Sequence, residues 1–237
     1  MPGVFISGIG RRLGLHLAEQ FLAQGRQVFG QYRRASEQTE ALAKRGVRLY
    51  QCDFTDAGQL LALAERLTAE LPSLDLLLHN ASLFEGESEH ATLNEHLALG
   101  QRAMALHFHA PQILSEALQP ALRNARGQII AITDIYAQLP RPDRRAYCAS
   151  KAALSCLMQG YAAAWAPDIR VNCIAPGPLS FLPEHSEAQR AQVLASTPLG
   201  QEGGFEPVWQ VVEMLLANDF ITGETLKVDG GRSLSAW

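Results

Sequence analysis

Short apolar runs recur along the chain at residues 4–7, 27–32, 47–52, 74–79, 128–133, 169–174 and 225–228. They are rich in Val, Ile and Leu and often apolar on both faces, as strands buried in a parallel sheet are. Helix-like segments lie between them at 13–24, 37–44, 58–70, 93–122, 146–164 and 208–217. Strand and helix alternate from the start. This order predicts an α/β fold: a single Rossmann-type doubly wound parallel sheet of about seven strands, with helices on both faces. The span 179–205 breaks the pattern, mixing Pro, Gly, Ser and Glu around one short helical stretch at 187–196. In a compact α/β chain such a segment reads as a mobile cover over a substrate site; the alternative is a plain surface loop.

Length and composition narrow the class. The 237 residues suit one α/β domain, 1–237, and 47% apolar with 19% charged residues excludes disorder as the main state. A net charge of −4 implies no basic surface for nucleic acid. No apolar run approaches the roughly 20 residues of a membrane span, and the opening MPGVFIS lacks the parts of a signal peptide. Cys52, Cys148, Cys156 and Cys173 are scattered without a C-x-x-C spacing. They read as reduced thiols in a cytoplasmic protein, with neither a disulfide framework nor a metal site.

Chemistry enters at the first turn. Strand one runs into Ser7-Gly8-Ile9-Gly10-Arg11-Arg12-Leu13-Gly14, and a helix follows. A glycine turn there lets the backbone approach a pyrophosphate held at the helix N-terminus, which makes Gly8, Arg11, Arg12 and Leu13 candidate cofactor contacts. The full G-x-G-x-x-G is absent, and arginine stands at position 12. At the end of strand two, enzymes using NAD place a carboxylate for the ribose 2′-hydroxyl. This chain has Gln31-Tyr32-Arg33-Arg34 instead. Arg33 and Arg34 match a 2′-phosphate and predict NADPH, with Arg12 able to join the same pocket. The alternative is that both arginines only solvate a loop.

Five features in order resemble the short-chain dehydrogenase/reductase family over essentially the whole chain. They are the glycine turn at 8–14, Cys52-Asp53-Phe54, Asn80-Ala81-Ser82, Tyr147-Cys148-Ala149-Ser150-Lys151, and Asn172-Cys173-Ile174-Ala175-Pro176-Gly177. The resemblance implies that Asp53 binds the adenine and that Asn80 and Ala81 line the cofactor. Pro176 and Gly177 would pass beside the nicotinamide amide. Phe54, Ser82, Tyr147, Lys151 and Leu179 complete the expected cofactor-binding set. Each motif also has a plain structural reading, such as an Asp capping a helix or a Pro-Gly turn.

Tyr147 and Lys151 are four apart and share a helix face. A free tyrosine, with a pKa near about 10, is a poor proton relay at neutral pH. An ammonium beside it is expected to lower that pKa by stabilising phenolate. In the family, the lysine also bonds the nicotinamide ribose.

The departures are more specific than the matches. Most of the family has a serine thirteen residues before the tyrosine; this chain has Asp134. Family members that reduce pteridines carry aspartate there, arginine at the place of Arg12, and a phenylalanine after Asn-Ala-Ser that stacks on the pterin. Here that residue is Phe84. The chain therefore resembles the pteridine reductase branch, and in particular the bacterial dihydromonapterin reductases, some of which also reduce dihydrofolate. His107 takes the place of the helix-four asparagine that usually holds a water, and its role is left open between a satisfied histidine and a relay member.

The resemblance implies NADPH-dependent reduction of a 7,8-dihydropterin (dihydromonapterin, with dihydrofolate or dihydrobiopterin as alternatives) to the tetrahydropterin. The reaction needs hydride at carbon and a proton at nitrogen. Tyr147, Lys151 and Asp134 are the expected catalytic residues, and Ser82, Phe84, Asp134 and Tyr147 the expected substrate contacts. Asp134 has a structural alternative as a cap after strand five. The rival functions are a carbonyl or 3-oxoacyl reductase of the same fold and a non-catalytic NADPH sensor. The family is commonly tetrameric, so a homo-oligomer is expected on resemblance alone.

Overall fold

The computed structural model describes residues 3–183 and 185–235. Seven strands form one sheet: β1 (Gly3–Ser7), β2 (Gln27–Tyr32), β3 (Arg48–Gln51), β4 (Leu74–His79), β5 (Gln128–Ile132), β6 (Arg170–Pro176) and β7 (Thr225–Val228). Their order is β3-β2-β1-β4-β5-β6-β7, and every pairing is parallel. The connecting helices are α1 (Arg12–Ala23), α2 (Glu37–Lys44), α3 (Ala57–Glu70), α4 (Leu93–Met104), α5 (Ala110–Ala125), α6 (Arg145–Trp165), α7 (Glu187–Ala195) and α8 (Glu206–Ala217).

The period-two alternation of a strand divides the core between the two sheet faces. Phe5 and Leu77 join Leu63, Leu114, Leu118 and Leu154 from α3, α5 and α6. Val4, Ile6, Leu76 and Leu78 join Leu17, Phe21, Trp209 and Val212 from α1 and α8. Chain direction reverses its order across β1, whose neighbours are β2 and β4. A crevice opens at such a switch point, beyond the carboxyl ends of the strands. The loops after β1, β2, β3, β4, β5 and β6 carry the candidate residues, except Arg12 and Leu13 at the start of α1, Pro176 at the end of β6, and Tyr147 and Lys151 on α6.

One predicted element differs. The helix expected over 93–122 is two helices joined by a wider π turn, Ala105–His109. The cause is Pro111, which has no N–H and whose ring would crowd the carbonyl of His107 in a regular α-helix. The turn leaves His107 buried, at 1% exposure, beneath α6. The helical stretch expected at 187–196 is α7, while position 184 of the expected cover lies outside the described residues.

Candidate active site

The glycine turn and the β4 loop are built as one unit. Ser7 Oγ accepts from the backbone N–H of both Asn80 and Ala81, at 2.9 and 3.0 Å. Asn80 Nδ2 returns bonds to the carbonyls of Ser7 and Gly8. Gly8 sits at φ +68°, and a side chain there would lie 2.8 Å from the Ala81 Cα. At Gly14 a Cβ would run into the Gly8 carbonyl and Asn80 Nδ2. Gln31 carried no sequence signal for its role: its buried side chain accepts from the Gly8 N–H and donates to the Cys52 carbonyl. It locks the turn to the ends of β2 and β3.

The remaining cofactor candidates divide by what they expose. Arg11, Arg33 and Arg34 are exposed, the last two just beyond β2. The side chains of Leu13 and Phe54 are buried in the two cores. Asp53 accepts from the Thr55 N–H and hydroxyl at 3.0 and 2.7 Å, a turn that leads into α3. Pro176 ends β6, and the Gly177 N–H bonds the Val228 carbonyl.

Arg12 reaches toward the 179–205 segment. It adopts a left-handed backbone, φ +50°, and its Nη2 donates to the Ser180 carbonyl at 2.6 Å. Its guanidinium lies 5.8 Å from the Phe205 ring centre. Arg12 thus pairs with both ends of the 179–205 segment. The base of that segment is closed by bonds from the Gly203 and Gly204 N–H groups to the Pro178 and Leu179 carbonyls.

Asp134, Tyr147 and Lys151 converge beyond β5. Asp134 is extended at the start of a 3₁₀ turn, Ile135–Ala137, and its Oδ1 accepts from the Tyr136 N–H at 2.9 Å. The structural and the chemical readings of Asp134 hold together, because its other oxygen, Oδ2, accepts from the Tyr147 phenol at 2.6 Å. Lys151 is 1% exposed and donates to the Ile132 carbonyl at 2.9 Å. Its ammonium lies 5.8 Å from the centre of the Tyr147 ring.

This geometry corrects the expected chemistry of Tyr147. Burial and then the Asp134 carboxylate push its pKa well above the ordinary value. Lys151 is farther from the phenol than Asp134 is and does not reverse this. Burial also raises the Asp134 carboxyl, against the lowering by its bonds from Tyr147 and Tyr136. Burial depresses Lys151 to about 8. The phenol is held as a proton donor rather than poised as phenolate.

Phe84 stands beside this group. Its ring meets Tyr147 edge-on at 5.0 Å and lies nearly parallel to Tyr136 at 6.4 Å. One face is taken by the Arg144 guanidinium, 3.8 Å from the ring centre, and Arg144 Nη1 donates to the Phe84 carbonyl. Glu87 fastens the same loop to α6: its Oε1 accepts from the Ala146 N–H at 2.6 Å, and its Oε2 pairs with Arg145. Arg144 and Glu87 left no sequence signal, since their contacts span 60 and 59 residues with no local pattern. Ser82 is exposed and hydrogen-bonds the His107 ring.

Known proteins share this fold and much of this sequence. Residues 7–233 match the family model described as enoyl-(acyl carrier protein) reductase. A dihydromonapterin reductase of Enterobacter sp. (strain 638) is 34% identical over 98% of this chain and 97% of its own. One from Escherichia coli O6:K15:H31 is 35% identical over 98% and 96%. Among solved structures, FolM alternative dihydrofolate reductase 1 from Brucella suis, in complex with NADP, superposes with a TM-score of 0.88 at 30% identity, covering 100% of this chain and 96% of that one. The apo SCOR enzyme from Clostridium thermocellum gives 0.86 at 28% identity, covering 100% and 94%. With its parallel seven-stranded sheet, its glycine turn and its Tyr147/Lys151 helix, the chain belongs to the short-chain dehydrogenase/reductase family.

Proposed function

We propose that this protein reduces a 7,8-dihydropterin to the tetrahydropterin with NADPH. The observation that carries the reading is the Asp134–Tyr147 pair, 2.6 Å apart, with Phe84 at the edge of the tyrosine ring. Relatives named dihydromonapterin reductase, and a structural neighbour named for dihydrofolate reduction and complexed with NADP, support it.

The crevice suits a dinucleotide. The Gly8 turn leaves backbone room that a Cβ would fill, and it leads into the N-terminus of α1. Gly8, Arg11, Leu13 and Asn80–Ser82 would hold the pyrophosphate and ribose side, Asp53 and the Phe54 backbone the adenine, and Arg33 and Arg34 the 2′-phosphate. Lys151, Pro176, Gly177 and Leu179 would hold the nicotinamide end. NADPH supplies the hydride, here to C6 of the pterin. Tyr147 holds a proton for N5, and Asp134 orients the phenol and shares that proton. Phe84 offers its remaining face to the pterin ring, while Ser82 meets its polar edge. We take 1–237 as one domain in which 179–205 covers the substrate end.

The family model's description favours a second reading, reduction of an acyl thioester substrate. Asp134 weighs against reduction of a ketone or 3-oxoacyl group, whose oxygen needs a donor where this chain has an acceptor. Turnover assays with 7,8-dihydropterins, dihydrofolate, a ketone panel and an enoyl thioester separate these readings from a non-catalytic NADPH sensor. Only dihydropterin turnover fits the first.

Among the described residues, no helix is long and apolar enough to cross a membrane. We place the protein in the cytoplasm as a homo-oligomer, tetrameric as in much of the family. The four unpaired cysteines support the compartment, and the exposed Leu93 and Leu97 of α4 support the association. Sedimentation analysis tests the tetramer.

A further inference from the structure

His107 sits under the candidate site with both ring nitrogens engaged. Nδ1 lies 2.8 Å from Ser150 Oγ, and Nε2 lies 2.9 Å from Ser82 Oγ. Proton bookkeeping settles the tautomer. The single hydroxyl proton of Ser150 is given to the Tyr147 carbonyl at 2.7 Å, so Ser150 can only accept from the histidine. The ring proton is therefore on Nδ1. Independently, Nε2 accepts the Leu83 backbone N–H at 3.3 Å, which requires a bare Nε2. Burial, and then the charge of Lys151, hold the ring neutral by lowering its pKa well below the ordinary value.

A bare Nε2 dictates what Ser82 does. The hydroxyl must give its proton to Nε2, since turning it away would set two lone pairs face to face at 2.9 Å. The competing protein acceptor, the Leu83 carbonyl at 3.2 Å, also draws the proton away from the site. A Ser82 hydroxyl facing Tyr147 acts to lower the phenol pKa. A hydroxyl proton turned to the phenol would favour phenolate; one pinned on His107 does not. The histidine is not a proton conduit, because its far side ends at a backbone carbonyl inside α6.

We propose that His107 is a positioning residue: its locked Nδ1–H tautomer holds the Ser82 hydroxyl as a pure acceptor at the substrate site. Building on the pterin reading, Ser82 then selects ligand groups that donate, such as the ring N–H or exocyclic amino group of a pterin. With its proton on His107, the Ser82 hydroxyl offers a ketone oxygen no donor. The π turn sets His107 at the required depth, and Leu83 bonded to the same nitrogen fixes the start of the loop that carries Phe84.

Imidazole ¹⁵N spectra of the unmodified protein test the lock directly. The expected result is a His107 ring, identified by its loss in His107→Asn, protonated at Nδ1 and bare at Nε2, unchanged from pH 5 to 8. A His107 ring protonated at Nε2, or titrating in that window, overturns the proposal. Kinetics test the consequence. His107→Asn and Ser82→Ala should each lower dihydropterin kcat/KM about three- to tenfold, the scale of one hydrogen bond. The double variant should fall no further than Ser82→Ala alone, because both act through one hydroxyl. Ketone turnover relative to dihydropterin should rise in His107→Asn and not in Ser82→Ala. Additive losses would overturn the idea that His107 acts through Ser82. Should the unmodified protein reduce no dihydropterin, the substrate reading fails, while the spectra still decide the tautomer.

Discussion

The Tyr147 phenol donates to Asp134 Oδ2 at 2.6 Å, while the Lys151 ammonium is held on the Ile132 carbonyl. A carboxylate in contact with a buried phenol opposes its ionisation more than a more distant ammonium promotes it. Tyr147→Phe keeps the ring and removes the proton. Turnover should fall about 10²- to 10⁴-fold, the usual cost of a lost general acid. NADPH affinity should be retained, which fluorescence titration of the variant checks.

Cofactor choice rests on exposed guanidiniums beyond β2. Replacing Arg33 and Arg34 together with Ala should raise the NADPH KM about 10- to 100-fold, the scale of one or two charge-assisted bonds. The NADH KM should barely move. Because Arg12 is engaged with Ser180 and Phe205, Arg12→Ala should leave the NADPH/NADH ratio near that of the unmodified protein. Paired steady-state measurements with the two cofactors decide both points.

Much of the fold was legible because the central strands, such as β1 and β5, are buried on both faces and helices such as α1 and α8 on one. The break at Ala105–His109 was not, since apolar periodicity runs on through the π turn and only Pro111 marks it. At the site, Tyr147 and Lys151 stood out by type and spacing, and Asp134 by the family resemblance. The sign of the tyrosine's shift did not, because it depends on two distances that spacing along a helix does not contain. Gln31, Glu87 and Arg144 were invisible for a related reason: their partners lie 23, 59 and 60 residues away.

Acid sensitivity follows from two buried histidines. His79 is 3% exposed, bonds Ser115 at 2.9 Å, and is lowered by burial to a pKa of about 3. His107 is lowered in the same direction. Below the unfolded value, near about 6.5, the unfolded chain binds protons that the folded chain refuses. The stabilisation is full above that value and is lost as pH falls toward the folded pKa. From pH 7 to 5.5 each histidine should remove roughly 1 kcal/mol. Urea unfolding at the two pH values should show this fall, and His79→Gln should remove about half of the histidine-dependent slope. An unchanged slope in that variant would mean that His79 titrates in the folded protein as it does in the unfolded chain.

Phe84 acts through binding rather than chemistry. One of its faces carries Arg144, so a pterin ring has the other. Base–aromatic stacking is worth roughly 1–3 kcal/mol, and a pterin stacks much as a purine does. Phe84→Ala should raise the dihydropterin KM about 5- to 150-fold, with a smaller change in kcat. Phe84→Tyr should restore most of the affinity, which separates stacking from simple loss of loop order.

Substrate class turns on position 134. Asp134→Ser would place a hydroxyl where a ketone-reducing site needs a donor. It would also remove the carboxylate that holds the Tyr147 proton at 2.6 Å and caps the Tyr136 N–H. Serine keeps the capping capacity, so the Ile135–Ala137 turn should survive. The phenol pKa should fall, because the charge opposing its ionisation is gone while Lys151 remains. Dihydropterin reduction should drop at least about tenfold with little change in NADPH binding. Its alkaline limit should move to lower pH as the freed phenol ionises earlier. Ketone reduction, if gained at all, should follow the same pH limit, since both would draw on Tyr147. Steady-state pH profiles of the unmodified and Asp134→Ser proteins measure each of these. Full dihydropterin activity with an unshifted alkaline limit would show that Asp134 caps its turn and has no part in proton delivery.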